Sequence, residues 1–526
     1  MTDTCINQEM RFFISDKIMD RRTFIRNTLA ALAGLAFSPP ANSGQVLRNI
    51  SSSSATKRHA VIIGAGVSGL AAGRRLAESG WKVDVFEKSP TYGGLCSTLV
   101  IEGFTFDLGP HVFHNSIRGL APFKHHDLVP ATFSESFLLG GKVLNFPLEL
   151  VTQGYLFDMF TTLARNTLGG TKGRSSNLED IAAAGYGRRV NEEIFRPLIE
   201  KWCNHPMNQL DPRYFASRMH SKLEMDYVLD YLRRVYNDVE KEIGDRLWRS
   251  PSSDGSPSKE GTEGIPDAPG YSGSIGARIV PDRLALSIDG LEIHCDCPVT
   301  ALNVEDRRII SLEAAGQQVE PDFVISTAPL DRLATMIRGE SCLKAFADVT
   351  YLNIVLVLAR IARPSLLKTE WTWIPDSGVP FYRMSEMKVL GKNHAPAEST
   401  GLCLEVSVKG NDPEFNRSED YWKQLARTFL EKTFSIRGRE IIGLSVEKRD
   451  YAYPDFDKSN TAIISRCLKK PYVTAEMQQD FGTGIDNLAL AGRAGTFIYL
   501  LTPWAILSGI AAADQALKYA GDASRA

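Results

Sequence analysis

His111 and His114 stand three residues apart in the stretch FDLGPHVFHNS, and the whole 526-residue chain has only nine histidines. Imidazole titrates near neutral pH, so such a pair can ligate a metal, move protons or simply pack. A zinc site needs one or two more ligands at usable spacing, and this HxxH has no partner cluster in the sequence. No metal is therefore expected. Two readings stay open on the residues alone. Both histidines are core groups with satisfied hydrogen bonds, or the loop lies along a cofactor, with His111 handling a proton and His114 supporting the loop. Arg383 in FYRMSE and Arg218 on a helical stretch are suited to an anionic group, since guanidinium binds oxyanions bidentately, though either could equally be a surface ion pair. Tyr453 and Tyr499 could cap a substrate pocket or belong to the core. Trp371 and Trp373 alternate with Thr372 as on a strand, and no chemistry is assigned to them.

The elements that would position these groups begin at RHAVIIGAGVSGLAAGRRLAESGWKVDVFEK. A buried apolar strand, a glycine turn, a helix and a second strand make a βαβ unit. Gly64 would make the tight turn, Gly66 would let backbone N–H groups approach a pyrophosphate, and Gly69 would let the helix pack on the strand. Val67 and Ser68 open that helix, whose N-terminus carries partial positive charge. Glu87 closes the second strand, where a carboxylate can bind both ribose hydroxyls, and Lys88 adjoins it. NAD and FAD both fit this much.

The residues after Glu87 separate the two cofactors. EKSPTYGGLCSTL and then GFTFDLGPHVFH resemble flavoproteins of the amine oxidase and protoporphyrinogen oxidase superfamily. The resemblance implies FAD, with Gly93 and Gly94 turning beside the pyrophosphate, and it gives Gly109, Pro110 and His111 as a loop on the flavin near N5 or C4a. Thr91 stands where family members often carry a basic residue. CPVTALNV and DFVISTAPL look like the second FAD segment, with the backbone of Val299 at the adenine. LALAGRAGTF…WAILSGIAAA resembles the closing motif. It implies Gly492 and Arg493 near the pyrophosphate and a helix from about Ala505 and Ile506 aimed at the flavin. The middle of the chain, including VLNFPLEL, FRPLIEKWCNHPMNQLDPRYFASRM, VPFYRMSE and YAYP, is similar to UDP-galactopyranose mutases. There Arg218 and Arg383 would grip a diphosphate and Tyr453 would match a mutase tyrosine. Phe497 stands where mutases carry a diphosphate-binding tyrosine, so it is expected at the substrate surface with Arg218 and Tyr499, in a pocket that is incomplete for a diphosphate.

The fold class expected is α/β: a Rossmann-like FAD-binding domain from residues 58–115, 270–330 and 485–520, with a second, mixed α+β substrate domain from 116–249 and 331–484. Residues 250–270, rich in Ser, Gly and Pro, read as a flexible loop. With Lys+Arg 60 against Asp+Glu 62, the surface has no cationic surplus for nucleic acid. Eight cysteines in so long a chain are no disulfide framework, and inert packed thiols are expected. Asp20–Arg26, DRRTFIR, followed by a short apolar run, resembles a twin-arginine signal over residues 1–42, with a linker over 43–57. It implies the twin-arginine export machinery as a partner and a periplasmic or secreted protein, cytoplasmic if the Arg pair is fortuitous. No later stretch is apolar for long enough to span a membrane. The function expected is an FAD-dependent oxidase, dehydrogenase or desaturase. It would take hydride from a small organic molecule onto flavin N5, with O2 or a quinone as acceptor. A mutase-like sugar isomerase and a non-catalytic flavin-binding protein are the alternatives.

Overall fold

Strand β1 (His59–Ile63) is buried from Ala60 onwards with no polar alternation, as a central parallel strand covered on both faces requires. Helix α1 (Val67–Glu78) carries the chain back to β2 (Lys82–Phe86). In this computed structural model, residues 57–131, 134–145, 155, 178–211, 270–467 and 483–523 are described. Arg218, the helical pattern at 225–239, the loop at 250–269 and the export segment lie outside the described residues. Strands β3 (Leu291–His294), β4 (Phe323–Ser326) and β5 (Leu488–Leu490) complete a parallel sheet in the order β3-β2-β1-β4-β5. Chain order reverses between β1 and β4, the place where doubly wound sheets leave a crevice beyond the strand ends. The five strands come from three separate stretches of sequence. An antiparallel meander of Val299–Glu305, Arg308–Ala314 and Gln317–Val319 joins β3 to β4.

Leu70, Ala71, Ala72 and Leu76 of α1 pack with Ile62, Val83 and Val85 of the sheet and with Ile506, Ala512 and Ala513 of helix α2 (Thr502–Ala523). Each fully buried leucine contributes about 1.5–3 kcal/mol. The two helices meet backbone to backbone. A Cβ on Gly509 would stand 2.0 Å from Ser68 O, so no larger residue fits that crossing.

A seven-stranded sheet forms the other layer, in the order Ile441–Pro454, Tyr351–Ile361, Thr400–Lys409, Arg383–Glu386, Trp371–Trp373, Glu135–Leu139, Lys142–Asn145. The strand Tyr351–Ile361 is buried throughout. One face, through Val355, Val357 and Ala359, meets Trp422, Ala426, Phe429 and Leu430, which recur at helical spacing on Glu419–Phe434. Ser418 caps that helix by accepting from Tyr421 N. The opposite face carries the candidate site. No helix of the described residues is long and apolar enough to cross a membrane.

Candidate active site

Gly64 leaves β1 at φ +97° and donates its N–H to Phe86 O at 2.8 Å. A Cβ on Gly69 would stand 1.9 Å from Gly64 O, which is why α1 can begin directly against the turn. Gly66 is the N-cap. It offers no side-chain cap, and a Cβ there would meet nothing within 4 Å. The first helical bond runs from Leu70 N–H to Gly66 O at 2.9 Å. The N–H groups of Val67, Ser68 and Gly69 precede it and have no partner in the helix, so they face the open side of the turn with the helix's partial positive charge. Gly93 and Gly94, at φ +112° and +59°, lie against this turn, and Gly93 N donates to Ala65 O at 2.8 Å. The Glu87 carboxylate is fixed by Ala65 N at 2.8 Å and Ser89 N at 2.9 Å. Cys297 N donates to Glu87 O at 2.8 Å, which brings the buried Val299 alongside. Lys88 is turned away, its ammonium 5.5 Å above the Tyr451 ring. An open glycine turn at a helix N-terminus, with a carboxylate ending the next strand, fits the pyrophosphate and ribose of a dinucleotide.

The far end of the chain closes on this turn. Gly492, at φ +77°, donates its N–H to Ser508 Oγ at 3.1 Å, and a Cβ there would lie 2.9 Å from Ser68 Oγ. Helix α2 starts at Thr502, not near Ala505 as the sequence suggested. Proline is tolerated in a first turn, so Pro503 is inside the helix rather than before it. Ala505 N–H is already bonded to Leu501 O at 2.8 Å and Ile506 is fully buried. The first-turn donors without helical partners therefore fall to Thr502 and Trp504. Beside them the Cys96 thiol is pushed up to about 12 by burial and is neutral.

The hairpin Thr98–Ile101 and Phe104–Asp107 turns at Glu102–Gly103, both at positive φ, as a two-residue hairpin loop requires. It delivers Gly109 at φ +89°, where a Cβ would stand 3.1 Å from Glu405 Oε2 and 3.3 Å from Arg383 Nη2. The loop thus lies on that ion pair. Pro110 and His111 follow, with His111 Nδ1 3.1 Å from Gly109 O. A carbonyl only accepts, so Nδ1 carries the proton of a neutral ring and Nε2 keeps its lone pair. Burial holds the His111 pKa below its ordinary value, Asp107 opposes that shift, and the Arg493 and Arg383 charges reinforce it. His114 is exposed, and its Nδ1 accepts from Ser116 N at 3.3 Å, capping a short 3-10 helix.

Trp373, Arg383 and Glu405 are direct cross-strand partners in three adjacent strands, so they share one face. Arg383 binds Glu405 bidentately, Nε to Oε1 at 2.6 Å and Nη2 to Oε2 at 2.7 Å. Glu405 is fully buried, and the Arg383 side chain is 12% exposed. Burial works against the guanidinium charge, yet Glu405 more than offsets it and holds Arg383 well above its ordinary range. Tyr382 OH donates to Glu405 Oε2 at 2.8 Å and lies 3.5 Å from Tyr453 OH. Burial and the Glu405 charge keep the Tyr382 phenol protonated. Trp202, on the helix Arg196–Cys203, stacks on Tyr382 at 5.6 Å and meets Trp373, Tyr453 and Tyr499. Tyr453 and Tyr499 stack at 5.9 Å, with the Arg493 guanidinium over both rings. Arg493 donates to Leu500 O and Ala452 O, so its side chain braces this wall. Phe497 is 3% exposed and packs on Tyr351 and Phe456, in the core rather than at a substrate surface.

Gly109, His111, Arg383, Tyr453, Arg493 and Tyr499 therefore converge from distant stretches. Glu405, Tyr382, Trp202 and Trp373 were missed as site residues. The one signal for Glu405 is a lone carboxylate inside the apolar strand sequence GLCLEVSV.

Residues 62–121 match the profile of an NAD(P)-binding Rossmann-like domain, and residues 172–517 match that of flavin-containing amine oxidoreductases. The chain belongs to the flavin-containing amine oxidoreductase family. The matched profile makes it a flavin-containing member of that superfamily. Among curated relatives, the zeta-carotene-forming phytoene desaturase of Myxococcus xanthus is 40% identical over 100 residues, 19% of this chain and 17% of that protein. A 4,4'-diapophytoene desaturase (4,4'-diaponeurosporene-forming) of Staphylococcus aureus (strain bovine RF122 / ET3-1) is 34% identical over 99 residues, with the same shares. The chain thus matches under a fifth of the length of these relatives. Reduced UDP-galactopyranose mutase superposes with a TM-score of 0.65 at 18% identity, covering 88% of this chain and 96% of that one. A putrescine oxidase double mutant redesigned for cofactor binding gives 0.57 at 13%, covering 88% and 99%. At those identities the likeness is one of fold.

Proposed function

We propose that this family member oxidises an organic substrate held against the aromatic wall beneath the Gly109–His111 loop, as a dehydrogenase, oxidase or desaturase, with O2 or a quinone taking up the electrons. The observation that carries the reading is the Arg383–Glu405 pair. The guanidinium that a diphosphate would need is already matched by a buried carboxylate, and Phe497 has no donor to offer. Tyr499, partly exposed and stacked on Tyr453, with Trp202 and Trp373 behind it, suits a substrate recognised by apolar and aromatic surface rather than by charge. The curated relatives are phytoene and diapophytoene desaturases, so polyenes are the first class to try, with amines, porphyrinogens and sugar derivatives beside them.

FAD, when bound, supplies the hydride acceptor. The chain supplies the rest. The N–H groups opening α1 and α2 would meet the anionic parts of the cofactor. His111 Nε2 accepts the proton that the substrate loses, while the Nδ1–H bond to Gly109 O fixes the tautomer. Arg383, Glu405 and Tyr382 hold the floor under that loop, and the aromatic wall excludes water.

His111→Ala tests the assignment. It should keep its flavin but be reduced by substrate about 10²–10⁴-fold more slowly. In the native protein the rate should fall as pH drops through the depressed His111 pKa, because protonated Nε2 cannot accept. That acid limb should vanish in the variant. A variant with the native rate and pH profile removes His111 from the chemistry.

A further inference from the structure

Asp84 on β2 is buried, and a histidine stands at each of its carboxylate oxygens. His59, which opens β1, brings Nε2 to Oδ2 at 2.6 Å, and His294, which closes β3, brings Nε2 to Oδ1 at 2.8 Å. Glu292 is the direct neighbour of Asp84 across the β2–β3 pairing, and His294 stands two residues further along β3. Side chains alternate along a strand, so the three groups share one face of the sheet. His294 Nε2 is 3.9 Å from Glu292 Oε2. One donor atom from each of Asp84, Glu292 and His294 falls within 4.8 Å of the other two. Tetrahedral zinc holds its ligands at about 2.0–2.2 Å, which sets them roughly 3.3–3.6 Å apart. The trio is already close to that spacing. Most of the adjustment falls on Glu292, whose side chain is 67% exposed and can swing inwards. Asp84 and His294 are 210 residues apart, so no ligand spacing in the sequence marks them.

We propose that Asp84 Oδ1, a Glu292 carboxylate oxygen and His294 Nε2 bind a divalent cation of the zinc class, fastening the edge strand β3 to β2. Lys82 Nζ lies 3.4 Å from Asp84 Oδ2 on a half-exposed side chain. That is the oxygen His59 holds, so the cation takes the other one. The His59 Nε2–H bond to Oδ2 orients the carboxylate, as outer hydrogen bonds do around metal ligands. Phe86 stacks on the His294 ring at 4.9 Å and fixes its plane. With the cation bound, the neutral imidazole carries its proton on Nδ1 and gives the Nε2 lone pair to the metal. Water completes the coordination from the exposed side. One imidazole with two carboxylates favours zinc over calcium or magnesium, which take oxygen donors.

β3 is the edge strand of the parallel sheet. Glu87 N–H donates to His294 O at 2.8 Å, so a cation here would also hold the strand end beside the ribose-binding carboxylate. The inference stands whatever the flavin's substrate.

The test uses the full chain with its flavin, stripped with EDTA, exchanged into metal-free buffer and titrated calorimetrically with zinc chloride. One zinc per chain should bind, with a raised thermal midpoint that EDTA reverses, and calcium chloride should leave the midpoint unchanged. Glu292→Gln, at an exposed position, should fold and bind zinc at least about tenfold more weakly, and His294→Ala should lose the site. His59→Ala should weaken zinc about 10–100-fold as a positioning residue. No zinc-dependent midpoint shift overturns the proposal. So does zinc held as tightly by Glu292→Gln as by the native chain, which would place the ion elsewhere.

Discussion

Glu405 bears more of the candidate site than any other single residue. It anchors Arg383 through two bonds and Tyr382 through a third, and Gly109 rests on the pair. Breaking a buried ion pair from one side strands the other charge, at about 3–5 kcal/mol. Glu405→Ala should accordingly lower the denaturant midpoint by that equivalent and disturb the flavin spectrum. A midpoint unchanged within error would mean that the pair is solvated and not the floor of the site. Little of this network was legible in the sequence. Gly109, His111 and Arg383 could be singled out by type and context, but Glu405 stands beside Arg383 only through strand register, which is set between strands distant in sequence. The same blindness explains why Trp373 was passed over and why Phe497, held at φ +55° in the core, was placed at a substrate surface.

Glycines set the approach of the elements. Gly69 lets α1 start on the turn, and Gly509 lets α2 cross α1 at Ser68. Gly509→Ala would force its methyl carbon to within 2.0 Å of a backbone oxygen, so the helices must part. Overpacking of this kind costs about 1–3 kcal/mol. Because Ser68 also abuts Gly492, the variant should release FAD more readily, seen as a lower flavin-to-protein ratio after gel filtration. Full flavin retention would show that the α1–α2 contact does not shape the cradle. The Rossmann-like sheet was the most readable part of the chain, since its turns demand glycine and its strands are continuous apolar runs. The seven-stranded sheet was not, because its pairings join residues far apart in sequence. The start of α2 was misplaced by the ambiguity of a proline that can stand inside a first turn as well as before one.

At the scale of the molecule, three separated stretches build one parallel sheet, and Arg493, just beyond its last strand, packs over Tyr453 and Tyr499 of the aromatic wall. We propose that residues 1–42 direct export by the twin-arginine route. Replacing Arg21 and Arg22 together by Lys should retain the protein in the cytoplasm, whereas the native chain should reach the periplasmic fraction; identical distributions would refute an export role. The reaction itself is tested most directly by mixing the oxidised, FAD-loaded chain anaerobically with polyenes, amines, porphyrinogens and sugar derivatives while recording the visible flavin band. At least one donor should bleach the band without added reductant, and O2 or a quinone should restore it. The contrary result is a band that no donor bleaches, together with isomerisation of a UDP-sugar by the dithionite-reduced protein.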